Sequence, residues 1–135
     1  MPSATFALQK AIHLALTNAP TVTTQLGGPR IYDHVPRGQP YPYVTFAQTS
    51  DRDWSTGTEA GSEHTVTLHV WTEAAGRKQA LAILDAIATA LHDAPLSLDG
   101  HRLINLRREF TDATRLDADD AYRGLLRLRA VTEPL

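Results

Sequence analysis

No cysteine occurs in the 135 residues. That excludes disulfides, thiolate nucleophiles and cysteine-ligated zinc or iron–sulfur centres. A small secreted disulfide scaffold goes with them, so folding in a reducing cytoplasm is the expectation. Charge of one sign is also missing. Thirteen Lys and Arg stand against fifteen Asp and Glu, for a net charge of −2. Nothing in that balance draws the chain to nucleic acid or to an anionic membrane. Lysine is scarce, with only Lys10 and Lys78 beside eleven arginines. Alanine and leucine are heavy too, and the bias reads as genome composition. No window approaches the roughly 18 apolar residues of a membrane span, so no membrane partner is expected. A secretory signal is missing as well. Met1–Ser3 carries no Lys or Arg, and Gln9, Lys10 and His13 break the first apolar stretch. The expectation is assembly in the cytoplasm of the cell that makes the chain.

The motifs of catalysis are absent in the same way. There is no H-E-x-x-H, no G-x-S-x-G elbow, and no Gly-x4-Gly run followed by Lys-Ser or Lys-Thr. Asp51-x-Asp53 begins a calcium loop, but Ser55 and Thr56 do not continue it. The acidic group Asp51, Asp53, Glu59 and Glu63 therefore reads as a solvated stretch. Six histidines raise the question of a metal. His64 and His69 fall on opposite faces of one predicted strand, and His92 and His101 flank a turn. These read as surface or interface histidines, and no metal, cofactor or catalytic residue is expected.

What is present is an ordinary globular composition, 42% hydrophobic and 21% charged. The length suits one domain over residues 1–135. Leu8, Ile12, Ala15 and Leu16 recur at helical spacing, which predicts a helix over 5–18 with Ser3 as its cap and Pro20 beyond its end. Residues 21–26 are ambiguous and would fit one helical turn. Gly27-Gly28-Pro29 is a break. A short edge strand over 31–35 and a strand over 43–49 follow, the latter with Val44 and Phe46 on one face. Residues 50–62 are polar and glycine-bearing and read as a long loop or an extended hairpin arm, with Trp54 inside it. The clearest strand spans 63–72, with Val66, Leu68 and Val70 on one face and Thr65, Thr67, His69 and Trp71 on the other. Ala74-Ala75-Gly76 leads to a helix over 77–92 with a wide apolar stripe.

Pro95 and Asp99-Gly100 mark turns before a strand over 101–110. Residues 111–121 are polar and acidic, which predicts a loop with a turn at Asp117–Asp120. The last strand, 122–132, sets Gly124, Leu126, Leu128 and Ala130 on one face, with Arg123, Arg127 and Arg129 on the other. Helices at two main points and strands in runs predict an α+β fold: a mostly antiparallel sheet, two main helices on one face, and a long inter-strand arm. The face bearing Trp71 and the arginines is then open. It reads equally as a solvated face and as a subunit contact. With the arm, it supplies the candidate contact residues Asp51, Arg52, Trp54, Trp71, Arg127 and Arg129.

Several of these segments resemble one family in the right order: IYDHVP from Ile31, YPYVTF from Tyr41, HTVTLHVWT from His64 with the alanine-rich helix and LHDAPL after it, and YRGLLRLRA from Tyr122. Together they cover nearly the whole chain. The family is that of small tail-completion proteins of tailed bacteriophages, prophages and gene transfer agents, the tail terminators or tail-to-head joining proteins. The resemblance implies a structural virion protein in the tail or neck of a phage or phage-like particle. It implies a homo-oligomer, a hexameric ring on the finished tail tube that stops polymerisation. Tail tube protein and a head–tail connector or stopper are the implied partners, and DNA passes through without specific binding. The family offers no catalytic residues to carry over. Another head–tail connector ring, a stopper or adaptor, is the alternative within the class. A small-molecule-binding α+β domain is the alternative outside it, and it would need a pocket of converging polar residues.

Overall fold

The computed structural model describes residues 3–73 and 75–135; Ala74 of the expected lead-in lies outside them. Three helices cover one face of a five-stranded sheet. In chain order the elements are α1 (Ala4–Thr17), α2 (Pro20–Leu26), β1 (Ile31–Tyr32), β2 (Tyr43–Asp53), β3 (Ser62–Glu73), α3 (Arg77–Leu91), β4 (His101–Leu116) and β5 (Ala121–Pro134). The strand order is β1-β2-β3-β5-β4. Every pairing is antiparallel except that of the two-residue β1 with β2. The fold is the expected α+β.

Local chemistry sets the helix limits. The Ser3 hydroxyl accepts from the Phe6 N–H and caps α1. Pro20 opens α2, where its missing N–H costs nothing, and Gly27 closes it at φ 77°. The ambiguous stretch 21–26 is thus a helix in its own right. The buried faces converge on one cluster: Leu8, Ile12 and Leu16 of α1, Val22 and Leu26 of α2, and Ile83, Leu84, Ile87 and Leu91 of α3 meet Val44, Val66, Leu68, Val70, Leu126 and Leu128 of the sheet. Fully burying each such side chain contributes about 1.5–3 kcal/mol. At Gly124 the approach of α3 is so close that a Cβ would lie 2.9 Å from Leu84 Cδ1.

Two strand expectations need correction, and a third resolves between its alternatives. The edge strand expected over 31–35 is only Ile31–Tyr32. The stretch 50–62 takes the hairpin form, with β2 continuing to Asp53, β3 starting at Ser62, and residues 54–61 left as the connection. The stretch 111–121 is not a loop. β4 runs on through Leu116, paired residue for residue with β5, and only a short turn at Asp117–Asp119 separates them. Its polarity misleads because β4 is a border strand with most of its second half exposed, so it needs no continuous apolar face.

Candidate functional site

Strand alternation makes the uncovered sheet face a continuous surface. Register places Thr65 opposite Arg129, Thr67 opposite Arg127, His69 opposite Leu125 and Trp71 opposite Arg123. Those pairs all point away from the helices, because the alternate pairs Val66–Leu128, Leu68–Leu126 and Val70–Gly124 are buried beneath them.

At the arm end of this face, Glu63 is the centre of a charge cluster. Arg129 donates from Nε (3.0 Å) and Nη2 (2.6 Å) to Glu63 Oε2. Arg52 Nε lies 3.1 Å from the other oxygen, Oε1. The Arg129 guanidinium also sits 5.8 Å from the centre of the Trp54 ring, in cation–π reach. Trp54 is 54% exposed. Its backbone N–H donates to Gly61 O at 2.9 Å and closes the arm's connection. Within that connection Asp53 accepts from the Ser55 N–H and hydroxyl, which holds its carboxyl below the usual range. Glu59 N–H donates to Thr56 Oγ1 and the Thr56 N–H to Glu59 O, so the arm is hydrogen-bonded within itself.

Further along the face, Arg127 lies 5.2 Å from the centre of the Phe110 ring. At the far end stands an aromatic group. Tyr41 stacks on Tyr43 at 5.6 Å, Tyr43 meets Trp71 at 6.4 Å, and His69 meets Trp71 edge-on at 5.8 Å. Trp71 Nε1–H donates to Thr45 Oγ1 at 3.0 Å, which fixes the indole. Burial, then the neighbouring Tyr41, pushes the Tyr43 phenol up. Burial, then Arg123, pushes the His69 imidazole down.

The structure therefore brings three of the six singled-out residues together: Arg52, Trp54 and Arg129. Arg127 lies on the same face beside Phe110, and Trp71 lies at its other end. Asp51 does not join them. It is opposite His64 in the register and shares that residue's face. His64 is fully buried, with Nε2 2.8 Å from Thr132 Oγ1 and Nδ1 unpartnered. Burial is the main cause that lowers its pKa; His101 adds to the shift and Asp51 opposes it. His64 and His69 do face opposite ways, as their spacing requires. Sequence reasoning missed Glu63, the residue that joins the cluster. The signal was there: alternation from Trp71 back through His69, Thr67 and Thr65 puts Glu63 on the arginine-bearing face. Among the described residues no three His, Asp or Glu side chains are grouped to hold a metal ion, and no helix is long and apolar enough to cross a membrane.

No curated protein sequence matches the chain. Among solved structures it is similar to a chain of the virion of a native gene transfer agent particle. The two are 34% identical, the match covers 98% of this chain and 99% of that one, and the TM-score is 0.88. The family model for the tail completion protein gp17 matches residues 10–133. With nearly all of its length inside that match, from the second half of α1 to the end of β5, the chain belongs to the tail completion protein gp17 family.

Proposed function

We propose that this chain, acting as one domain over residues 1–135, is a tail terminator. Copies close into a ring, a hexamer, on the end of the tail tube. The ring stops tube polymerisation and presents a surface to the head–tail connector or stopper, and DNA passes through its lumen. The observation that carries this reading is the 34% identity over 98% of the chain, at a TM-score of 0.88, to a gene transfer agent virion chain. The role is structural, within a virion or phage-like particle assembled in the host cytoplasm.

The geometry supports it. A closed ring is a head-to-tail assembly, so each copy must carry two different contact surfaces. The arm with its Glu63 cluster and the open sheet face are two such surfaces, holding Arg52, Trp54, Trp71, Arg127 and Arg129. Several arginines at or near this face are already engaged: Arg52 and Arg129 by Glu63, Arg107 by Asp93, and Arg102 by Glu133. Charges neutralised within the protein leave fewer cations to grip a polyanion, which suits a lumen that DNA must slide through.

The test is solution mass by light scattering, then negative-stain imaging with and without purified tail tubes. The expected result is a six-fold ring, or density confined to tube ends. A monomer that ignores tubes overturns the reading. A variant with residues 54–61 replaced by Asn-Gly isolates the arm. Asp53 and Ser62 face each other in the register, so a two-residue turn fits without disturbing the strands. That variant is expected to fold and to leave tubes uncapped. Tails of normal length from it would remove the arm from the mechanism.

A further inference from the structure

His64 is a buried polar group that belongs to neither contact surface. Strand alternation sets it in one row with Val66, Leu68 and Val70, on the side of β3 that the helices cover. It is the one ionisable residue of that row, and it stands at the arm end. Its ring is only half satisfied. Nε2 lies 2.8 Å from the buried Thr132 Oγ1, and a hydroxyl serves Nε2 in either tautomer because it both donates and accepts. Nδ1 is enclosed and has no partner among the described residues. A second proton makes both ring nitrogens donors. It sets a positive charge, through Nδ1–H, against surroundings that offer it no acceptor, which costs far more than a neutral ring does there.

The groups around His64 decide where that charge can go. Asp51 of β2 is exposed and stands opposite His64 in the register. His101, at the start of β4, is near enough to oppose a charge on His64. α1 brings no acidic residue in its first turn. Ala4, which opens α1, lines a hollow of about 200 Å3 together with Thr132, His101, Asp53 and Glu133. The two carboxylates of that hollow are engaged, Asp53 by the Ser55 hydroxyl and Glu133 by Arg102. Asp51 is left as the carboxylate that a charged His64 can meet, and it lies toward the sheet border, away from Thr132.

We infer that His64 is a proton-operated latch at the base of the arm. Neutral, it stays beneath the helix layer and ties β3 to Thr132 of β5. Protonated, it leaves Thr132 and turns to Asp51, and the first turn of α1 and the adjoining ends of β3 and β5 loosen. The core that Val66, Leu68 and Val70 build with α3 stays packed, so the opening is local. The inference concerns the single chain and does not rest on the terminator reading.

Hydrogen exchange of the full chain, read by mass spectrometry across a pH series and corrected for the intrinsic rate, tests the latch. Below the unfolded histidine value of about 6.5, opening at residues 4–8, 62–65 and 130–134 should rise by about tenfold per pH unit until the folded ring itself titrates. Residues 83–91 of α3 should keep their protection over the same range. His64→Gln should remove the pH dependence at the arm end. Asp51 is exposed, so Asp51→Asn should fold as the wild type does, and it should lower the opening at about pH 5 severalfold. Protection at the arm end that is flat with pH, that falls only together with α3, or that still follows pH in His64→Gln overturns the latch. Opening that is unchanged in Asp51→Asn overturns the re-pairing with Asp51.

Discussion

Glu63 and Arg129 are joined across two strands at the base of the arm, with two nitrogens of one guanidinium on a single carboxylate oxygen at 3.0 and 2.6 Å. The Glu63 side chain is only 14% exposed, and its second oxygen faces Arg52. Glu63→Ala would leave two cations facing each other with no anion between them. The partial exposure of both arginines moderates the cost. Stability should fall by about 1–2 kcal/mol in a denaturant titration. Glu63→Gln keeps an acceptor oxygen and should cost less. Equal losses for the two variants would mean that packing, not charge, governs the site.

Gly124 is the position where helix and sheet touch most closely. A Cβ there would lie 2.9 Å from Leu84 Cδ1 and 3.1 Å from its Cγ. Gly124→Ala should therefore destabilise the fold by about 1–3 kcal/mol through overpacking. Leu84→Ala alone removes a buried side chain and should cost about 2–5 kcal/mol. The double variant should be more stable than the sum of the two, because the added methyl occupies part of the vacated space. Simple additivity in thermal melts would show that the two residues do not oppose each other.

The helices and the central strands were legible because burial imposes a period. Leu8, Ile12 and Leu16 mark one helix face, and Val66, Leu68 and Val70 one strand face. The last part of β4, residues 111–116, was not legible, since Asp112, Thr114 and Arg115 are exposed and no buried period constrains them. Its strand state comes from the pairing with β5, which is not visible in a local window. The placement of the candidate residues was half legible. Alternation placed Trp71, Arg127 and Arg129 on the open face. The gathering of Arg52 and Trp54 around Glu63 depends on β2 continuing to Asp53, and a polar arm hides that. The face Asp51 takes, shared with His64, was hidden by the same cause, because it is decided by a register interrupted between Phe46 and Thr49.

Two histidines make stability depend on pH. Burial lowers the pKa of His64 and of His69 in the folded chain. Each is therefore neutral in the fold at a pH where the unfolded chain already binds a proton. Their contribution is fully present above the unfolded value, about pH 6.5, and is lost as pH falls through the lower folded value. His64→Gln and His69→Gln should each flatten the decline of the melting temperature between about pH 7.5 and about pH 5. A profile as steep as that of the wild type would assign the decline to other groups.

Trp54 offers a variant that tests folding and assembly separately. It is half exposed, and its one described ring contact is the Arg129 guanidinium at 5.8 Å. An exposed cation–π pair contributes about 0.5–1 kcal/mol, so Trp54→Ala should change stability by no more than about 1 kcal/mol. Leu84→Ala, from the core, should cost more than twice that and still leave the surface unaltered at temperatures where it folds. In the terminator reading the order reverses for capping: the Trp54 variant should fail on tube ends although it is the more stable of the two, since exposed aromatics are common anchors at interfaces. Electron microscopy of both variants on the same tubes gives the comparison. If capping follows stability instead, Trp54 is a cover for Arg129 and the contact lies elsewhere on the chain.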